Sequence, residues 1–144
     1  MAAMVLESAA LPASPANAQS TRARWAGRIL TGLAVAFLVF DLSFKFFPAD
    51  AAVQSTADLG WPMHHMLTLG LIEVACLILY LVPRTAPLGA ILWTGYFGGA
   101  IATHLRIDNP LFSHILFPIY IAALVWGGLY LRDARVRALV RADR

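Results

Sequence analysis

Four long apolar stretches, residues 25–47, 64–82, 87–105 and 114–131, constrain this chain more than any other feature. Each holds 18 to 23 residues, and a helix of about 20 residues crosses an apolar bilayer core of about 30 Å. In lipid the backbone must satisfy its own hydrogen bonds, which leaves helices as the form for such runs. Only 13% of the 144 residues are charged, where a soluble domain carries about 25%. The expected fold is all-α: an integral membrane four-helix up-down bundle over residues 22–133. A disordered tail is expected before it (residues 1–21) and a basic cytoplasmic tail after it (residues 134–144).

The helix breakers lie where helices should end. Pro48 closes the first stretch, and Pro62 and Pro83 bracket the second. Pro118 falls inside the fourth, where it should kink the helix or sit in its first turns. Near the start, Ala16-Asn17-Ala18 resembles a small-residue cleavage site. Neither a positive charge nor an apolar core of adequate length precedes it, so a tail rather than a signal peptide is expected.

Orientation follows from the arginines. Arg22, Arg24 and Arg28 open the first stretch, Arg84 joins the second to the third, and Arg132, Arg135, Arg137, Arg141 and Arg144 follow the fourth. The other two connections hold only Arg106 against Asp50, Asp58 and Asp108. Positive charge is retained on the cytoplasmic side, so both termini are expected there. An even number of spans agrees. The net charge of +3 is thus topology, and no arginine cluster interleaved with aromatics on a polar surface speaks for nucleic acid. Trp25, Trp61, Trp126 and Tyr130 lie near segment ends, as interfacial aromatics do.

Charged groups at membrane depth are costly and stand out as functional candidates. Asp41, Lys45, Glu73, His104 and His114 lie within or at the edge of the stretches. At 1.5 Å per residue, Lys45 lies about 3 Å and Asp41 about 9 Å inside the outer boundary, and Glu73 about 14 Å. With His64 and His65 they all fall in the outer half or at its edge, which suggests a polar pocket opening outward. Asp41 and Lys45, at i and i+4, can pair on one face, and Lys45 can snorkel to the outer surface. Glu73 stands alone mid-helix. It must keep its proton or meet a cation or donor from another helix, with Lys45, His104 and Tyr96 as options. Such a carboxyl could pass protons to a redox ligand, or simply order the bundle by an interhelical bond. A short hairpin could bring His104 and His114 together, but no tight motif adds a third and fourth ligand, so no metal is expected. Cys76, the one cysteine, reads as a buried apolar side chain. Gly95 and Gly99, four residues apart and flanked by Gly98 and Ala102, are expected to let helices approach closely; a cleft for a flat ligand is the alternative.

Residues 27–133 resemble the DoxX-like family of small bacterial membrane proteins. The resemblance is closest in LGLIEVACLILYLVPRTAPLGAILWTGYFGGAIATHLR, residues 69–106, and NPLFSHILFPIYIAALVWGGLYLRD, residues 109–133. The family similarly shows an Asp then a Lys near the end of the first helix, here Asp41 and Lys45. It also shows a glutamate at the place of Glu73 and histidines at those of His104 and His114. The resemblance implies a four-helix integral membrane protein, and a bacterial cytoplasmic membrane is the expected location. The family takes its name from a subunit of an archaeal thiosulfate:quinone oxidoreductase, which makes a membrane subunit or accessory of a quinone-linked redox system the first functional expectation. Glu73 would then handle protons, with Asp41 and Lys45 as electrostatic partners and His104 and His114 as donors at the outer mouth. The cofactor it brings to mind is a quinone, and the partners are the lipid bilayer and a redox subunit or a second copy. The second expectation is a non-enzymatic bundle that binds a lipid or partner protein through its Gly-rich third helix.

Overall fold

The computed structural model describes residues 21–47 and 49–141. These form six α-helices: α1 (Thr21–Phe46), α2 (Asp50–Asp58), α3 (His65–Leu81), α4 (Ala86–Arg106), α5 (Phe117–Arg132) and α6 (Ala134–Arg141). A π-helical turn, Leu111–Ile115, leads into α5. There is no strand among the described residues. The all-α class is as expected, while the helix count is six and not four. The expected N-terminal tail and Pro48 lie outside the described residues.

Two extra helices account for the difference. The α2 segment carries too little apolar surface to show a helical stripe, and α6 folds where a basic tail is expected. Among the described residues two helical runs are long and apolar enough to cross a membrane: Thr21–Phe46 and the continuous run Leu111–Arg132. The apolar helix α3 has 17 residues, about 26 Å at 1.5 Å per residue.

The four longer helices close into a ring, with α1 packed on α3 and α5, and α4 packed on the same two. Close approach depends on small residues at the crossings. A Cβ added at Gly89 would lie 2.4 Å from the Tyr80 backbone nitrogen, so α3 and α4 meet backbone to backbone there. At the α1–α5 crossing a Cβ on Gly128 would lie 2.6 Å from Thr31 Oγ1, and one on Gly27 would lie 2.8 Å from Leu131 Cβ. Gly95 and Gly99 do not serve this purpose within the chain. Nothing lies within 4 Å of a Cβ at either position or at Gly98. They face outward because Trp93 and Phe97 take the buried side of α4.

Polar side chains fasten the ring. The fully buried Tyr80 donates its hydroxyl to the Val125 carbonyl at 2.9 Å, linking α3 to α5. Trp126 donates its Nε1–H to Thr94 Oγ1 at 2.9 Å, so its polar end bonds another helix rather than the membrane interface. Pro118 falls in the first turn of α5. It has no N–H for the His114 carbonyl; just before it the chain runs as the widened turn.

Candidate functional site

The helical ring has two chemically distinct ends. The end of α1, the start of α3, the end of α4 and the π turn meet at one, which carries the histidines. The start of α1, the α3–α4 turn, the end of α5 and α6 meet at the other, which carries most of the arginines.

On the histidine side of the ring, Lys45 reaches two carboxylates at once. Its Nζ lies 2.5 Å from Asp41 Oδ2, one turn back on α1, and 2.8 Å from Glu73 Oε1 on α3. The Glu73 side chain is 1% exposed and Lys45 16%, while Asp41 is 43% exposed. The Tyr96 hydroxyl on α4 is the other polar group turned toward the Glu73 carboxylate. Neither Glu73 oxygen has a hydrogen bond of good geometry, so the Lys45 contact is an ion pair rather than an aligned bond.

Two features of the chain produce this geometry. Helical Cα–Cβ bonds tilt toward the N-terminus, so a lysine on the last turn of α1 starts inward, toward Asp41 and away from the boundary. The snorkelling direction is therefore not taken. Gly70 supplies the second feature: a Cβ there would lie 3.2 Å from Lys45 Cβ, so the missing side chain brings Lys45 against α3. Glu73 is one turn further along α3. Lys45 is thus level with Gly70, five residues into its helix, and Glu73 sits only about 4.5 Å below that level. Counted from flush ends of α1 and α3, the two groups would lie about 11 Å apart in depth; the helices are offset instead.

An aromatic row continues from the cluster along α4. Tyr96 meets Trp93 edge-on at 5.6 Å, and Trp93 stacks on Phe97 at 5.2 Å. Trp93 is 1% exposed and its Nε1–H has no partner. Buried Cys76 is one helical turn beyond Glu73.

His104 and His114 form a separate pair, with ring centroids 5.5 Å apart. Asp108, in the left-handed region at φ 52, reverses the chain between them. Asn109 Nδ2 holds His104 Nδ1 at 2.7 Å, and Ser113 Oγ lies 2.8 Å from His114 Nδ1. Among the described residues no set of three His, Cys, Asp or Glu is grouped for a metal ion. The His64 and His65 rings lie 4.1 Å apart, tilted at 51°, with Trp61 edge-on to His65.

Arg106, which by sequence counts only among the charges that set topology, has a structural role. It donates from Nη2 to the Leu59 carbonyl at 2.5 Å, under Gly60 at φ 71. This places a cation on the C-terminal carbonyls of α2, where the helix dipole favours one. No spacing in the sequence relates residue 106 to residue 59.

An all-helical chain with two membrane-length apolar helices and an acid–lysine–acid cluster inside it defines a class: small membrane proteins with a buried polar centre. The DoxX-like family model matches residues 29–128, and the chain belongs to that family. No curated protein and no solved structure matches it.

Proposed function

We propose that α1, α3, α4 and α5 all span a bacterial cytoplasmic membrane, with both termini inside, and that Glu73 handles a proton for a quinone-linked redox system. The chain would be a membrane subunit or accessory of that system. The positive-inside distribution supports the orientation. The observation that carries the functional reading is the Glu73–Lys45–Asp41 cluster. Fully ionised, its two carboxylates and one ammonium hold one uncompensated negative charge, and one proton makes it neutral. A carboxyl that is sealed from solvent yet held by a cation is a group that can take up and return that proton.

The donor set suits a quinone carbonyl, because Trp93 Nε1–H and the Tyr96 hydroxyl lie along the row that starts at Glu73. A quinone would supply the redox chemistry by accepting two electrons from the partner subunit and two protons. In that scheme Glu73 holds one of the protons, Lys45 orients the carboxylate, and Asp41 fixes Lys45. His104 and His114 serve as donors at the outer mouth. The test is Glu73→Gln in purified protein. Quinone binding and linked turnover should fall; if both are unchanged the reading fails.

The open glycine face of α4 favours a second reading. Gly95, Gly98, Gly99 and Ala102 are exposed, next to exposed Leu88, Ile91 and Leu92. A lipid or a partner protein helix could lie on this face without displacing anything, and the buried charges would then only order the bundle. Gly95→Leu with Gly99→Leu should abolish partner recovery in a pull-down. Mass spectrometry of a solvent extract separates the readings through the small molecule that copurifies: a quinone, a lipid, or neither.

A further inference from the structure

At the arginine-rich end, Arg24 and Arg28 on α1, Pro83 in the α3–α4 turn, and Arg132 and Asp133 at the end of α5 line a cleft of about 260 Å³. Three guanidinium groups and one carboxylate share it. The carboxylate is already engaged: Asp133 pairs with Arg135 Nη2 at 2.8 Å and also accepts from the Arg135 backbone N–H at 2.8 Å. The three cations of the cleft are left without an anion among the described residues. Arg132 lies over the Tyr80 ring at 5.1 Å and donates to the Tyr80 carbonyl at 3.2 Å, while its Nε–H is buried with no partner. Arg28 lies over the Trp25 ring at 5.4 Å.

Like charges gathered at the margin of an apolar region are costly unless an anion joins them. A phosphate is the anion whose geometry guanidinium forks match, two bonds at a time. The volume is below the range of pockets that hold whole drug-sized ligands, so it suits a headgroup rather than a nucleotide. The surroundings are apolar. Ile29 and Leu33 follow Arg28 along α1, and Leu81 and Val82 precede Pro83, all four exposed. Nearby α6 pairs its arginines with exposed Leu139 and Val140, the pattern of a helix lying on a membrane surface. A ligand with phosphate at one end and hydrocarbon at the other meets both surfaces.

We propose that this cleft binds the phosphate of an anionic phospholipid headgroup, with the acyl chains on the exposed apolar residues beside it. The site is independent of the Glu73 cluster, which lies toward the opposite end.

The experiment is native mass spectrometry of the full chain in detergent, titrated with phosphatidylglycerol and with phosphatidylcholine. Wild type should prefer phosphatidylglycerol. Arg24→Gln with Arg28→Gln should lower its affinity about twenty-five-fold, at about fivefold for each basic residue. Among the described residues these two exposed arginines make no hydrogen bond to another helix, so the double variant should fold; a circular dichroism spectrum matching wild type checks this. Arg22→Gln, the same charge change outside the cleft, should bind as wild type. Equal binding of the two lipids by wild type, or undiminished phosphatidylglycerol binding by the folded double variant, would overturn the proposal. Displacement of the lipid by an equal concentration of inorganic phosphate would also overturn it, by making a free anion the ligand.

Discussion

The Lys45 ammonium lies 2.8 Å from Glu73 Oε1, joining the last turn of α1 to the middle of α3. Because Asp41 holds the same nitrogen from below, at 2.5 Å, the lysine cannot turn outward without leaving both carboxylates. An ion pair with so little solvent around it is strongly destabilised by loss of one partner, by about 3–5 kcal/mol. It therefore fixes the rotation and depth of α1 against α3 as well as any chemistry that Glu73 performs.

The glycines of α4 should divide into two classes under substitution. Gly89→Ala places a methyl 2.4 Å from the Tyr80 nitrogen, where only backbone movement can relieve the clash. We expect a loss of at least about 1–3 kcal/mol. Gly95→Ala meets nothing within 4 Å and gains helix propensity of about 1 kcal/mol, so it should be neutral to stabilising. Thermal unfolding in detergent, monitored by circular dichroism, compares them.

The helix α2 should depend on Arg106. A nine-residue helix is not stable in isolation, and the guanidinium at the Leu59 carbonyl ties its end to α4. In Arg106→Gln the amides of Asp50–Asp58 should exchange about tenfold faster, the effect of losing one charge-assisted bond. Exchange in α6, at the opposite end of the ring, should not change.

The docking of α6 should weaken in acid. Arg135 bonds the carbonyls of Pro83 and Arg84 while paired to Asp133, and so holds α6 to the α3–α4 turn. The Arg135 hydrogen bonds hold the Asp133 carboxyl below its usual range, 3.8. A carboxyl shifted down on folding adds stability above its unfolded value and loses it as pH falls through the folded one. A spin label introduced by Leu139→Cys, on a Cys76→Ala background, should report restricted motion near neutrality and freer motion as the pH drops below about 4. Asp133→Asn should remove the dependence and leave the label mobile throughout.

Much of the helical order was legible because apolar stretches of membrane length leave the backbone few alternatives. The short helices α2 and α6 were not, since neither has an apolar run and each is held by a distant arginine contact. The charge cluster was half legible. Asp41 and Lys45 are one turn apart in sequence, and Glu73 is conspicuous in LGLIEVACLIL. Their meeting depends on the axial offset of α1 against α3, which Gly70 permits and no pattern within either helix encodes. Which glycines pack within the chain is hidden for a related reason. Gly95 and Gly99 have the four-residue spacing, but the ring turns Trp93 and Phe97 inward and so turns these glycines out. Gly27 and Thr31 have the same spacing on α1 and do meet Gly128. The arginine cleft gathers residues from three elements spread over more than 100 positions, and in the sequence its arginines show only as topology.

The most direct test of the central claim, that Lys45 and Glu73 form one buried unit, is a double-mutant cycle. Unfolding free energies would be measured for Lys45→Met, Glu73→Gln and the double variant in the same detergent. The geometry predicts that Lys45→Met alone is costly, that adding Glu73→Gln recovers much of the loss, and that the coupling is at least about 1.5 kcal/mol. Additivity within about 0.5 kcal/mol would mean that the two residues do not interact, and the account of the site would be wrong.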